Sequence, residues 1–600
     1  MAETVLSLFL ERAERHPERV ALRTLAAGGA PRDAALTWGE WAEAARRFAA
    51  ALVDVGHRPG EAVAVLAGNR ALWPIADLGV LMAGGVSVGI YPTSAPGQIR
   101  QILEDCGAGV LVVDTPERLA AVTLLRPHLP RLHTVVCGSL RAVRTWTLGW
   151  EAWLARGERA LSRGRGVEEE VERRTAAASP DDTALLIYTS GSTGEPKGAR
   201  ITHRYLLHSA RSIREMLGLE ETDTSLSFLP FCHAAERVFG LYTRILCGME
   251  AALVEDHARV WEAARAYGPT LFGGLPRFYE KAYEALRAEE ARATGAERFR
   301  WERTLELGRE RSRMLRRGQP VLPALEAAWR EAGEPLFARL RGFFGGRVRL
   351  ATSGGAALPV EVAEYLDALG LPILGGYGLT EHLCVAFNRP GRYTFDSAGP
   401  PMPGTEIGIA DDGEIRVRRG PLTFSGYHGR PDATREAFTP DGEWLLTGDL
   451  GVVGEDGCLR VVGRKKELIA LSSGKKVAPL PIEGLLVQDP WIGQAMLYGE
   501  GRHFVSALLA LRRPVVEAWA RERSLEAEYP ALLDHPEVVG RVREAVERVN
   551  AALSRPEQIR RFFVLERDLS PDEDELTPTL KIRRPVVAAK FRDRLEALYS

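Results

Sequence analysis

At 600 residues, 45% hydrophobic and 26% charged, the chain is too long for one hydrophobic core and has apolar material for several; at roughly 150 residues per unit, about four structural units are expected. A formal net charge of -2 gives no global attraction to nucleic acid or to an anionic membrane, so function has to be local. The six cysteines (Cys106, Cys137, Cys232, Cys247, Cys384, Cys458) form no CxxC pair and no metal-like Cys/His spacing, and read as reduced thiols of a cytoplasmic protein.

The first apolar run, Val5 to Leu10, has no basic flank before it and is followed at once by ERAERHPER, which reads as an amphipathic helix and not as a signal peptide. No apolar run approaches the ~18 residues needed to span a bilayer, while peripheral membrane contact stays open. From Leu36 to about Val260, strand-like runs (AVAVLA, VLVVD, TVVCG, TALLIYT) alternate with helical stretches such as TWGEWAEAARRFAAALVDVG. That rhythm predicts α/β layers built on largely parallel sheets. Gly157 to Arg174, dense in Arg, Glu and Gly, reads as an exposed linker or solvated helix, and its interleaved glutamates count against a nucleic-acid patch.

The most informative stretch follows: YTSGSTGEPKG, Tyr188 to Gly198. Gly191, Gly194 and Gly198 allow turns closed to other residues, Thr189, Ser190, Ser192 and Thr193 bring hydroxyls beside backbone N–H donors, and Lys197 adds a compact cation. The apolar ALLIYT before it predicts a buried strand leading into a phosphate loop, with a second apolar segment resuming at Ile201. It is not the P-loop of NTPases, which needs Gly-Lys followed by Ser or Thr; Lys197 stands between Pro196 and Gly198. A solvated Gly/Ser turn is the plain alternative.

Downstream, LPFCHAAER (Leu229 to Arg237) places His233 after an apolar run, although a lone histidine is most often structural. Glu280 to Gly345 is helical and charged, and predicts a helical insert with one face packed on the sheets, a lid or membrane-docking surface being the sharper alternative. SGGAALP (Ser353 to Pro359) and GGYGLTEH (Gly375 to His382) are Gly-rich turns that let backbone approach a flat ligand beside Tyr377, with Thr380 and Glu381 as hydroxyl and hard carboxylate. In TGDLG, Asp449 is either a turn cap or an acceptor for a ribose diol. Asp-Gly pairs at Asp412, Asp441 and Asp456 predict hairpins, and a boundary near Gly463 leaves a last segment long enough for a small α/β domain. The chain has only eight lysines, and Lys197, Lys465, Lys466, Lys475, Lys476 and Lys581 all fall in these segments.

The eleven residues from Tyr188 resemble the phosphate-binding signature of the AMP-forming adenylating enzymes, the superfamily of acyl-CoA synthetases, carrier-loading adenylation domains and firefly luciferases. LPFCHAAER and GGLPRFYEKAY (Gly273 to Tyr283) are similar to segments of its long-chain fatty-acyl-CoA synthetases, as is TPTLK before Lys581, where Leu580 stands for the glycine that many relatives carry. The resemblance runs from GVSVGIYPTSAPGQ (Gly85 to Gln98) to Lys581.

It implies a large N-terminal adenylating domain (1–463) of several subdomains, and a small mobile α/β cap (464–600) with its hinge at Lys466. The activity implied is ATP-dependent conversion of a long-chain fatty acid to acyl-AMP with release of pyrophosphate, then acyl transfer to coenzyme A. ATP would be held by Thr189, Ser190, Gly191, Ser192, Thr193, Gly194 and Lys197, by Gly354, Gly355 and Ala356, by Gly376, Tyr377, Gly378 and Thr380, and by Asp449 and Arg464. The implied cofactor is Mg2+ on Glu381 and Thr189; Lys581, His233, Thr380 and Glu381 would be catalytic, and Gly474 would line the CoA channel. Two rivals are a fatty-acyl-AMP ligase that loads an acyl carrier protein and a nucleotide-binding protein without catalysis.

Overall fold

The computed structural model describes residues 3–25, 31–140, 145–163, 165–190, 196–525, 528–570, 573–577 and 581–600. These residues form two compact units, one of Met1–Gly408 with Arg416–Thr447 and Gly454–Leu459, the other of Ile409–Ile415, Gly448–Val453 and Arg460–Ser600. The α/β reading with layered sheets holds.

In the first unit the β-branched runs AVAVL, VLVV and TVVC become strands Ala62–Leu66, Val110–Val113 and Thr134–Cys137, buried along their whole length. Burial on both faces is what a parallel sheet covered by helices requires, and explains why these runs do not alternate with polar residues. The seven-stranded sheet runs in the order Thr147–Gly149, Thr134–Cys137, Val110–Val113, Ala62–Leu66, Val86–Gly89, Thr183–Ser190, Pro196–Thr202, parallel except for the last pair. Helix Trp38–Asp54 starts at a capping box, Thr37 with Glu40, and buries Trp41, Ala45 and Phe48. Of the two readings of Gly157 to Arg174, linker or solvated helix, the helix holds, in Trp150–Ser162 and Arg165–Ala177, although Gly157 itself is buried. A side-chain carbon there would stand 1.8 Å from the carbonyl oxygen of Arg47, so glycine serves close helix packing and not flexibility.

The second large sheet has eight strands in the order His382–Phe387, Ile373–Leu379, Leu350–Ser353, Leu271–Gly274, Thr224–Ser227, Glu250–Leu253, Val20–Leu25, Pro31–Thr37. Its inner pairs are parallel and its two edges antiparallel. The helical segment appears as Pro276–Arg292, Gly295–Arg316 and Pro323–Phe343, which bury Tyr279, Trp301, Leu305 and Trp329, the one-sided packing expected of an insert. Each Asp-Gly pair makes its turn: the carboxylates of Asp412, Asp441 and Asp456 accept from the backbone N–H of Glu414, Glu443 and Cys458, and Gly413, Gly442 and Gly457 take φ of 85°, 73° and 72°.

The second unit is built on strands Ile492–Tyr498, Val505–Leu511 and Ile559–Leu565, the fully buried middle strand antiparallel to the first and parallel to the third. Val538, Val542 and Val546 of helix Pro536–Ala551 lie in the same apolar cluster as Leu509, Leu511 and Ile559.

Candidate functional site

Strand Thr183–Ser190 turns back into strand Pro196–Thr202 with Thr189 opposite Lys197 and Ser190 opposite Pro196. The second strand thus begins five residues before Ile201, because the backbone ladder runs on through Pro196, Lys197 and Gly198 where no apolar pattern marks it. Lys197 is carried on a paired strand beside Thr189. Gly191, Ser192, Thr193 and Gly194, and the side chain of Ser190, lie outside the described residues.

The same strand pairs on with a distant segment: Arg200 N–H donates to the Gly426 carbonyl at 2.9 Å, His428 N–H to the Gly198 carbonyl at 2.8 Å, and Ala199 bridges to Tyr427. This brings the Tyr427 ring under Lys197, whose Nζ stands 5.6 Å from the ring centroid. The Tyr427 hydroxyl donates to Glu381 Oε1 at 2.5 Å. Burial, and then the neighbouring Glu381 charge, raises the phenol pKa, which keeps it a donor.

Glu381 and Thr380 are the two-residue tip of the hairpin Ile373–Leu379/His382–Phe387, with Leu379 opposite His382. Two contacts fix this tip. The buried Tyr205 hydroxyl donates to the Thr380 carbonyl (3.1 Å) and accepts from Leu383 N–H (3.0 Å), and Phe424 N–H donates to the Glu381 carbonyl at 2.9 Å. Gly376 and Gly378 allow the hairpin to close: side-chain carbons there would stand 2.1 Å from the Phe387 ring and 1.9 Å from the Leu383 carbonyl oxygen.

Ser353 pairs with Gly375 across the parallel strands Leu350–Ser353 and Ile373–Leu379, so Gly354–Gly355–Ala356 and Gly376–Tyr377–Gly378 follow neighbouring points on adjacent strands. Gly355 takes φ of 81° as the chain leaves its strand. Turns beyond the carboxyl ends of parallel strands are where open α/β sheets bind ligands. Tyr377 is half-buried.

His233 stands just before a π-helical segment, Ala235–Tyr242. Its Nδ1 accepts from Ala235 N–H at 3.1 Å, leaving Nε2 to carry the proton of the neutral ring. Behind it Arg237 is fully buried, paired with Asp77, bonded to Ser87 Oγ at 2.6 Å and stacked 4.6 Å from the Trp73 ring; Asp77 also accepts from the Tyr242 hydroxyl at 2.8 Å. Nothing in the linear sequence marks Asp77, and no motif marks Tyr427. The one available signal for Tyr427 was its glycine-flanked segment, Gly426 to Gly429, whose glycines take φ of 115° and 61°.

In the second unit, buried Asp449 pairs with Arg464, Nε to Oδ1 at 2.9 Å. Glu414 Oε1 accepts from Gly448 N–H at 2.9 Å, and Lys465 bridges Asp412 and Glu414 at 2.5 and 2.9 Å. Lys581 N–H donates to Thr577 Oγ1 (3.0 Å) and Thr577 N–H to the Lys581 carbonyl (2.8 Å), a closed turn flanked by the Leu576–Ile582 bridge. Behind that turn Glu575 is buried; burial pushes its pKa up, but Arg567 and Lys590 and the Ser570 N–H outweigh it and hold the group at about 2. The Lys581 side chain is solvent-accessible, yet crowding by protein atoms, with Arg464 adding repulsion, lowers its pKa against the pull of Asp449 and Glu467. Lys466 lies exposed in the short helix Lys465–Glu467, and Gly474 (φ 77°) in the exposed turn between strands Ile469–Ala470 and Lys476–Val477.

The donor set suits Mg2+. Glu381 has one oxygen engaged by Tyr427 and the other not so engaged, Thr189 adds a half-buried hydroxyl, and one or two protein oxygens are what a phosphate-bridging Mg2+ that keeps its waters needs. No cluster of three or more His, Cys, Asp or Glu side chains that could hold a metal occurs among the described residues.

The AMP-binding enzyme family matches residues 9–428, and the AMP-binding enzyme C-terminal domain matches residues 466–600. The chain belongs to the AMP-binding enzyme family. Among curated relatives, the long-chain-fatty-acid--CoA ligase FadD15 of Mycobacterium tuberculosis is 34% identical over 581 residues, covering 94% of this chain and 92% of that protein. The long-chain-fatty-acid--CoA ligase ACSBG1 of Rattus norvegicus is 29% identical, covering 92% and 80%. Of solved structures, the anthranilate CoA ligase AuaEII with anthranoyl-AMP superposes with a TM-score of 0.71 at 21% identity, over 98% of this chain and 97% of that one. The adenylation domain of a Mycobacterium chelonae carboxylate reductase gives 0.74 at 23%, over 100% and 91%. These two likenesses carry the fold. No helix of this AMP-binding enzyme, among the described residues, is long and apolar enough to cross a membrane.

Proposed function

We propose that this AMP-binding enzyme is a cytoplasmic ligase that activates a long-chain fatty acid with ATP and passes the acyl group to coenzyme A. The observation that carries the reading is that one ring, Tyr427, meets both a cation, Lys197, and a carboxylate, Glu381, with Thr189 opposite Lys197 on the neighbouring strand, in a segment whose sequence resembles a phosphate grip. The similarity to fatty-acid ligases over most of the chain supplies the acyl substrate.

A carboxylate oxygen of the fatty acid attacks the α-phosphorus; the new O–P bond forms as the bond to the bridging oxygen breaks, and pyrophosphate leaves. The protein's part is to position the groups and to neutralise charge developing on the phosphoryl oxygens. Lys197 and Lys581 supply fixed or mobile cations, and backbone donors of the Tyr188–Gly198 segment hold the leaving pyrophosphate. Mg2+, held by Glu381 and Thr189, would add charge neutralisation on the phosphates. Gly376 and Gly378 admit the adenine beside Tyr377, Asp449 and Arg464 take the ribose, and His233 orients the carboxylate. In the second step the CoA thiol sulfur bonds to the acyl carbon, AMP leaves with both electrons of the mixed-anhydride bond, and the thiol proton passes to solvent. Lys466 serves as the hinge between two presentations of the cap, and Gly474 lines the channel for pantetheine.

The experiment separates the half-reactions. Lys581→Ala abolishes pyrophosphate release from ATP and fatty acid while largely sparing thioester formation from supplied acyl-AMP; equal loss of both steps refutes the assignment. Running the wild-type enzyme with CoA against an acyl carrier protein identifies the acceptor.

A further inference from the structure

We propose that Tyr427 is a positioning residue that holds the Glu381 carboxylate in place and keeps Lys197 from pairing with it. The inference rests on the ligase reading, but its geometry stands on its own. Glu381 projects from a two-residue hairpin tip, where a carboxylate on three rotatable bonds would sample many rotamers. The Tyr427 hydroxyl removes that freedom by donating to Oε1 at 2.5 Å.

Tyr427 is itself rigid. Its N–H donates to Thr434 Oγ1 at 2.9 Å, its backbone bridges to Ala199, and its ring meets Phe424 edge-on with centroids 4.9 Å apart. None of these contacts uses the hydroxyl.

The ring presents two different surfaces to two opposite charges. Its hydroxyl faces the carboxylate and its π face lies under the Lys197 ammonium, 5.6 Å from the centroid. Lys197 and Glu381 form no ion pair with each other, although both reach the same ring. An ammonium and a carboxylate left to meet would neutralise each other, removing the cation from phosphate and the oxygen from the metal. Tyr427 therefore acts as a spacer that keeps both charges available to Mg2+-nucleotide.

Y427F deletes the hydroxyl and keeps the ring, whereas Y427L deletes both. Mn2+ binding in the presence of ATP, followed by electron paramagnetic resonance, reads the carboxylate directly. Y427F is expected to weaken it about tenfold, the usual scale of one hydrogen bond to a charged group. The Mg2+ concentration for half-maximal pyrophosphate release rises in parallel and the KM for fatty acid stays unchanged, while the ligand-free melting temperature falls by no more than a few degrees, the scale of one lost hydrogen bond. Y427L loses more, because Lys197 then swings to Glu381. In an E381Q background Y427F adds no further loss of Mn2+ binding. Wild-type Mn2+ affinity in Y427F, or independent losses in the double variant, overturns the proposal. If the wild-type enzyme releases no pyrophosphate with any fatty acid, the ligase reading falls while the Mn2+–ATP titration still judges Tyr427.

Discussion

Asp77→Ala tests the buried charge behind His233. Asp77 and Arg237 are each fully buried, and the carboxylate takes one hydrogen bond from Arg237 and another from the Tyr242 hydroxyl at 2.8 Å. Arg237 keeps only Ser87 Oγ, at 2.6 Å, as a polar partner once Asp77 is truncated, since its Nε and Nη1 already lack hydrogen-bond partners. The Trp73 face, 4.6 Å away, offsets part of the unpaired charge but none of the donors. Removing one partner of a buried pair costs about 3–5 kcal/mol, most of it the desolvated charge left behind. Asp77→Asn keeps acceptor capacity and costs less, about 1–3 kcal/mol. The combination Asp77→Leu with Arg237→Met removes both charges and recovers most of the stability, as apolar replacements of buried pairs do. The assay is urea unfolding followed by tryptophan fluorescence and far-UV dichroism, fitted for the first unit's transition. A loss below about 1 kcal/mol in Asp77→Ala, or a double variant no more stable than the single one, refutes the reasoning.

Burial lowers the pKa of His57, His203 and His382 from 6.5 to about 4 each. Unfolded chains take up these protons first, so their stabilising effect is complete above pH 6.5 and is lost as pH falls toward 4, with a slope of up to about 1.4 kcal/mol per pH unit for each histidine; a urea midpoint that stays level from pH 7 to pH 4 contradicts it. Gly378→Ala places a methyl against the Leu383 carbonyl, 1.9 Å from the ideal position, so the Thr380–Glu381 tip must move: about 1–3 kcal/mol of stability and most pyrophosphate release are lost, and a wild-type rate would show that the tip position is immaterial. Asp449→Ala removes the Arg464 partner at 2.9 Å and the proposed ribose acceptor together; the KM for ATP rises while that for fatty acid holds, and an unchanged ATP KM excludes the ribose role.

Local pattern carried much of this molecule. The apolar run before Tyr188 announced its strand, and GGYGLTEH announced a Gly-rich element ending in a hydroxyl and a carboxylate. Asp-Gly turns came out as turns because their chemistry is contained within four residues. What stayed hidden depends on contacts between remote segments. Arg237 meets Asp77 across 160 residues, and Glu381 meets Tyr427 across 46. A buried aspartate on an apolar helix reads as an accident until its arginine is known. Pro-Lys-Gly has no strand pattern and reads as loop, yet the ladder passes through Lys197 on backbone groups alone, which side-chain periodicity does not report.

The second compact unit is not one continuous stretch of chain. Ile409–Ile415 and Gly448–Val453 belong to it as well as Arg460–Ser600. A gene fragment beginning after Gly463 would therefore omit Asp412 and Glu414, the two partners of Lys465, and Asp449, the partner of Arg464. Exchanging this unit between relatives by a single crossover at that point would graft in a foreign set of partners for the recipient's Lys465 and Arg464 positions. Chimeras of such enzymes should move three segments together, because a single cut at that boundary separates Arg464 and Lys465 from their carboxylates.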